Sequence, residues 1–220
     1  MYKKFRQEGK IKNPREDVLV FRHSAPDVLH FNTTRVINLN PTNSEDVTKA
    51  QFIARQQVFE IYEFLKNNFE CFQKSVLLLT APEIGVRESR MIDGDYEYTT
   101  DDILNYTKFD DSIACGCYEI DIHNPGGTGT HLVYLDRKNY YTIPYRCLIP
   151  KGLNNLLVAG RCISSTHEAQ SAYRIMPIVC NIGEGAGAAI ACAFLAGVDT
   201  RMVKIEELHA MLDRYGLKYR

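Results

Sequence analysis

Apolar and polar positions change period several times along this chain. Between Asp17 and Asn40 the short apolar runs VLVF, VLHF and RVINL alternate with polar breaks, predicting a small antiparallel sheet with a turn at Pro26-Asp27. Thr42 to Ser44 then supply helix-start chemistry ahead of Glu45 and Asp46. Val47, Ala54, Val58, Ile61 and Leu65 recur at helical spacing, and Phe52, Phe59 and Tyr62 widen the stripe, so a long helix is expected to about Phe69. Aromatic positions on such a stripe belong to a core, and the helix reads as scaffold. The continuous apolar run SVLLLT, Ser75 to Thr80, reads as a buried strand closed by Pro82. Asp93-Gly94-Asp95 is a turn, and Thr99 to Asp102 cap a short helix through Leu104. Ile120 and Ile122 alternate with Glu119, Asp121 and His123, which predicts a half-buried strand carrying three polar residues on one side. An Asn-Pro-Gly-Gly loop follows, and His131 begins the partner strand. Tyr140 to Arg146 continues as a strand.

The C-terminal third has a different pattern. Leu156 to Ala159 is a short apolar run ended by Gly160 and reads as a buried strand. A polar segment, Arg161 to Arg174, leads to Pro177, a residue suited to the first helical turn because its missing N–H would be unpaired there. Gly183, Gly185 and Gly187, with Ala186, Ala188 and Ala189, give the helix a face nearly without side chains. Each internal glycine costs a helix roughly 1 kcal/mol against alanine, so such a face implies close approach by a strand or a flat ligand. The N–H groups at the helix start, near Met176 and Pro177, favour an electron-rich oxygen or an anion. A final amphipathic helix spans about Val203 to Tyr215, with Ile205, Leu208 and Leu212 inward and Gly216 as its stop.

Composition changes this picture little. The 220 residues carry a net charge of -1, with 45% hydrophobic and 24% charged residues, which suits a globular chain and gives no reason to expect nucleic acid or an anionic membrane as partner. No apolar run is read as a membrane span and no signal sequence opens the chain, so a cytoplasmic location is the expectation. The seven cysteines are irregularly spaced and mostly read as small buried hydrophobes. Cys115-x-Cys117 lacks the second pair that zinc wants, so no metal is expected.

The strings NLLVAGRCISSTHEA, YRIMP and GEGAGAAIA, in that order, resemble the C-terminal flavin-binding segment of FAD-dependent oxidoreductases of the glutathione-reductase-like kind. They are distantly similar to the corresponding end of fumarate reductase flavoproteins. The resemblance extends upstream through PEIGVRESR and DDSIACGCYEIDIHNP to IPYRCLIPKG, covering most of the chain from about Thr34. It implies FAD as cofactor, with Gly160 and Arg161 beside the ribityl or pyrophosphate portion. Arg174, Met176 and Pro177 would lie at the pyrimidine end, and Gly183, Gly185 and Gly187 would pack on the dinucleotide-binding core. One departure stands out: the family's strand followed by a Gly-x-Gly-x-x-Gly turn, which holds the FAD pyrophosphate, is missing from this sequence. The other glycine cluster, Gly126-Gly127-Thr128-Gly129, reads as a loop.

The expected fold is α/β. Residues 1–150 would form a substrate or cap-type domain, mostly antiparallel sheet with one long helix, and residues 151–220 the C-terminal strand and helices of a Rossmann-like FAD domain. The resemblance implies hydride transfer between a small organic substrate and flavin. His123 is the expected proton-transfer group, oriented by Asp121 on the same strand face, because imidazole titrates near neutrality. Arg174 is the expected electrostatic group, His167 a second proton-transfer candidate or a loop anchor, and Arg87 a cleft residue. Tyr145 and Arg146 are candidates for a polar substrate pocket. The chain alone is expected to hold FAD weakly or not at all and to be inactive. The alternative is a non-catalytic substrate-binding or interaction domain, or a truncated subunit that needs a partner to bring the dinucleotide-binding half.

Overall fold

The computed structural model describes residues 1–123 and 130–220, and for His123, Thr130 and His131 the backbone alone. The chain is mixed α/β and divides into two compact units, one built from Met1–Val86 and the other from Arg87–Ile122 with His131–Arg220.

The first unit is organised by a long helix. A short helix, α1 (Tyr2–Gln7), precedes a hairpin of β1 (Val20–Arg22) and β2 (Leu29–Phe31), which pair antiparallel with Phe21 opposite His30. Asp27 takes the left-handed φ of 59° that the tight turn needs. Helix α2 (Ser44–Asn68) starts because the Asn43 side chain accepts from the Glu45 and Asp46 N–H groups at 2.8 and 3.2 Å. Its buried positions include Ile61, Phe64 and Leu65, which pack with Tyr2 and Ile11. The Phe64 ring lies edge-on to Tyr2 at 5.6 Å and to Phe5 at 5.3 Å. Phe52 and Phe59, expected on the core stripe, are exposed.

Two sequence expectations fail here. The third run, RVINL, pairs with nothing as a strand, and Asn38 sits at a φ of 61°. The SVLLLT run is not a buried strand: Val76 to Leu79 are all exposed, and Leu79 is 84% exposed. It is tied along α2, where the Tyr62 hydroxyl donates to the Ser75 carbonyl at 3.1 Å and Arg55 donates to Thr80 and to the Pro82 carbonyl. A strand needs an edge to pair with, and none of the described strands lies alongside it.

The second unit begins with a short helix, α3 (Thr100–Leu104), held by a capping box between Thr99 and Asp102. Strand β3 (Ser112–Gly116) pairs antiparallel with β6 (Tyr141–Pro144). Between them in sequence, β4 (Ile120–His123) pairs with β5 (Thr130–Val133). After Tyr145–Leu148, a single 3-10 turn in place of the predicted continuation of the strand, come α4 (His167–Tyr173), α5 (Met176–Ala196) and α6 (Ile205–Arg214). Leu156–Ala159 is not a paired strand either; Val158 N–H donates to the Leu148 carbonyl at 2.9 Å, and Leu156 is exposed.

Helix α5 ends at Gly197, whose left-handed φ of 65° returns its N–H to the helix carbonyls. One side of α5 is pressed on β3. A Cβ added at Gly185 would stand 2.7 Å from the Ile113 carbonyl oxygen, so only glycine allows that approach. Ile178, Ile182, Ala189 and Cys192 continue this buried side into a core with Tyr98, Ile113, Tyr141, Tyr173, Leu208 and Leu212. The opposite side is bare: Met176, Cys180, Gly183, Gly187, Ile190 and Phe194 are exposed at alternating spacings of four and three. At 21 residues and a mean hydropathy of 1.7, α5 is long and apolar enough to cross a membrane by composition, which corrects the expectation that no run reaches that length. Its packing on β3 and the charge of Glu184 are those of a half-covered core helix.

Candidate functional site

The chemistry-bearing residues of the second unit gather where α4 hands over to α5. Gly160 adopts a φ of 98°, open to glycine, and the nearest group to its missing side chain is Val179 Cγ1, at 3.9 Å. The Gly160-Arg161 turn therefore lies on the first turn of α5. That turn begins at Ile175, which offers no side-chain cap, with Pro177 in the first turn and Met176 82% exposed. A long helix whose start is uncapped and open to solvent directs its N–H groups outward.

Behind this tip, Arg174 is committed. Its Nη2 donates to the Asp121 carbonyl at 3.1 Å and pairs with Asp121 Oδ2 at 3.2 Å, and the two side chains are 12% and 14% exposed. The C-terminal cap of α4 is thus bolted to β4. Asp121, expected to orient His123, pairs with Arg174; the His123 side chain lies outside the described residues. Tyr118 joins the pair at 3.5 Å from Asp121 Oδ2. Burial, and then the Asp121 charge, push the Tyr118 phenol above its ordinary value, while the Arg174 and Arg87 charges pull the other way.

A second cluster adjoins through the backbone at Arg87 and Glu88. Glu88 Oε2 lies 2.6 Å from His167 Nδ1, with the side chains 28% and 42% exposed. His167 is the first residue of α4, whose cap Thr166 accepts from the Ala169 N–H at 3.3 Å. One turn along, buried Gln170 donates to the Arg87 carbonyl at 2.8 Å. Ile92 N–H donates to the Cys162 carbonyl at 3.1 Å, and Ser165 Oγ meets Met91 Sδ at 3.2 Å. The stretch from Arg87 to Ile92 is thereby laced along the stretch from Cys162 to Gln170. Ser165 also shares a 2.8 Å hydrogen bond with the Tyr173 hydroxyl, which reaches the Arg161 carbonyl at 3.4 Å. Burial raises the Tyr173 phenol well above its ordinary value, so it remains a neutral donor.

The structure thus brings Arg87, His167 and Arg174 onto one network with Gly160 and Arg161, and sets Met176 and Pro177 at its exposed end. Gly183 and Gly187 lie farther along α5 on the bare side, where an added Cβ meets nothing within 4 Å; Gly185 is spent on β3. Glu88, Tyr118 and Tyr173 were missed. Glu88 carried a signal, since it stands between two arginines in the run that resembles the flavoprotein family, but its partner is 79 positions away. Tyr145 and Arg146 are structural: the Tyr145 hydroxyl donates to the Thr200 carbonyl at 2.8 Å, and Arg146 pairs with Asp111 at 3.0 Å while stacking on Tyr96. Cys180 is exposed, against expectation, because it falls on the bare side of α5, whereas Cys147 and Cys192 are buried. Among the described residues no cluster of His, Cys, Asp and Glu has a metal-binding arrangement. In the first unit, a hollow of about 440 Å³ lined by Tyr2, Val18, Phe31, Phe64, Leu65 and Phe72 contains none of the candidate residues.

These features suit one edge of a flavin: an uncapped helix start for an electron-rich oxygen, a glycine turn on that start, and two glycines open to close approach. They do not suit a pyrophosphate, because Gly183 and Gly185 lie inside α5 and not at a strand-to-helix turn. Gly126 to Gly129 lie outside the described residues. No curated protein and no solved structure matches the chain. The profile of the family described as FAD dependent oxidoreductase matches residues 2–212, nearly the whole sequence. The chain therefore belongs to the FAD-dependent oxidoreductase family, and FAD is the cofactor that this membership implies.

Proposed function

We propose that this chain is the C-terminal portion of a FAD-dependent oxidoreductase that transfers hydride between a small organic substrate and flavin. Residues 151–220 would contribute the last part of a Rossmann-like FAD domain, and the preceding residues the substrate side. A dinucleotide-binding half, on the same polypeptide or on a partner subunit, would complete the cofactor site. The observation that carries this reading is the Gly160 turn seated on the uncapped, solvent-open start of α5.

When bound, FAD supplies the two-electron redox chemistry. Gly160 and Arg161 would hold the ribityl side, and the Met176-Pro177 end the pyrimidine edge. Gly183 and Gly187 would admit the dinucleotide-binding core. Arg174 would add positive charge at that edge, tempered by Asp121, its partner in the ion pair.

The experiment is a flavin titration, read by flavin fluorescence, of the chain alone and with a dinucleotide-binding half, comparing native protein with Met176→Asp. A carboxylate at a helix start stabilises the helix by roughly 0.3–1 kcal/mol while repelling an electron-rich ring edge. The variant should therefore melt no lower than native and bind FAD about tenfold more weakly. Equal FAD affinity for the two proteins would remove the α5 tip from the cofactor site.

A further inference from the structure

We propose that residues 76–79 are an open β-edge, and that its occupant is the same segment of a second copy of this chain, paired antiparallel about a two-fold axis. The proposal is independent of the oxidoreductase reading above.

The backbone identifies the kind of partner. The segment holds neither helix nor turn, and among the described residues nothing bonds the N–H or C=O of Val76, Leu77, Leu78 or Leu79. Such a row of free backbone groups is a template for another strand. Its ends are already pinned to α2. The Tyr62 hydroxyl donates to the Ser75 carbonyl at 3.1 Å, and Arg55 donates to Thr80 Oγ1 at 2.9 Å and to the Pro82 carbonyl at 3.2 Å. Little ordering is therefore left for the moment a partner arrives. Val76, Leu78 and Leu79 are each more than two-thirds exposed. A hollow of about 320 Å³, lined by Val58 and Phe59 of α2 and by Leu77, Leu78 and Leu79, gives an incoming aliphatic side chain a seat.

Charge identifies the second copy. Lys74 and Glu83, one on each flank, are exposed, and neither has an ion-pair partner among the described residues. Parallel pairing would set Lys74 against Lys74. Antiparallel pairing brings Lys74 of each copy to the end that carries Glu83 of the other, twice per dimer. A two-fold axis normal to the sheet keeps every residue on its own face, so opposed residues differ by an even number of positions. Centring the pair on Leu78 then sets Leu77 against Leu79 and Val76 against Thr80. Pro82, which cannot donate to a ladder, falls beyond the apolar run. So short an edge buries less than the roughly 1,200 Å² of a standard interface, and the pairing is weak and concentration-dependent.

Sedimentation velocity of the full chain should show monomer at about 1 µM and a growing share of dimer toward about 100 µM. Amide hydrogen exchange in residues 76–79 should slow over the same range at alternate positions, as an antiparallel ladder requires. Lys74→Glu and Glu83→Lys should each weaken the dimer about tenfold, since each turns both flank contacts into like-charge ones. Mixed in equal amounts, the two variants should associate about as tightly as the native chain, because the mixed dimer restores opposite charges at both flanks. Leu78→Lys should stay monomeric. All three positions are exposed, so every variant should melt with the native protein.

A native chain that stays monomeric to about 100 µM overturns the proposal. So does a dimer indifferent to the three substitutions, which would place the contact elsewhere. Protection of residues 76–79 that arises only on adding a dinucleotide-binding half assigns the edge to that half and equally refutes the second copy.

Discussion

Arg174→Met is the substitution that tests how the α4–α5 corner is held. Arg174 and Asp121 are 12% and 14% exposed, and Arg174 also donates to the Asp121 carbonyl at 3.1 Å. Methionine fills similar space but takes from Asp121 the guanidinium that reaches both its carboxylate and its carbonyl. Removing one member of a mostly buried pair takes away the main compensation of the other charge, a cost of about 3 kcal/mol. For a transition of this size that corresponds to a fall in Tm of roughly 10 °C. The assay is a double-mutant cycle by circular dichroism melting with Arg174→Met, Asp121→Asn and both together. Asp121→Asn should cost less, since an amide still accepts from the guanidinium. The double variant should be more stable than the sum of the singles implies, because both members of the pair are then neutral together. A loss under about 1 kcal/mol for Arg174→Met, with additive singles, is the behaviour of an exposed pair. That result would refute the reasoning and return Arg174 to the role of an unencumbered cation.

Two further predictions separate packing from chemistry. Gly185→Ala should destabilise by about 1–3 kcal/mol, because its Cβ would meet Ile113 at 2.7–2.9 Å, whereas Gly187→Ala, in open space, should stabilise by about 0.5–1 kcal/mol. Urea unfolding checks both, and a weaker FAD affinity in the stabilised Gly187→Ala would mark that glycine as reserved for the cofactor side. Alkaline titration gives the third. Tyr96 is pushed up to about 12 by burial and by donating to Asp102, and burial raises Tyr98, Tyr141, Tyr145 and Tyr173 as well. Unfolded phenols release their protons near pH 10, so the folded chain binds more protons above that point and stability falls as pH rises from 10 through 12. Tyr96→Phe should make that fall shallower by about one proton; an unchanged slope would contradict the assignment.

What was legible in the sequence was local. The α2 start at Asn43, the capping box at Thr99, the Pro26-Asp27 turn and the Gly197 stop are written within a few residues of where they act. Long-range pairing was not. SVLLLT and LLVA have strand composition, but whether a strand forms depends on an edge elsewhere, and in this structure β3 pairs with β6 alone. The order of glycine turn, polar loop and glycine helix located the candidate site. Its wiring was hidden, because Arg174 finds Asp121 and His167 finds Glu88 across intervals that no periodicity marks. The α5 glycines looked equivalent in sequence, and only packing on Ile113 separates Gly185 from Gly183 and Gly187.

The apolar stretch lashed along α2 has a consequence for handling the protein. Val76 to Leu79 combine bulky aliphatic side chains with no charge among them, the makeup of a segment that seeds cross-β stacking when copies meet. Lys74 on one flank and Pro82 on the other are the residues that limit such growth, the first by repulsion and the second by refusing a ladder bond. Between these two gatekeepers the segment is a latent fibril nucleus whenever it is left bare, and its concentration tolerance is set by whatever shields those four side chains.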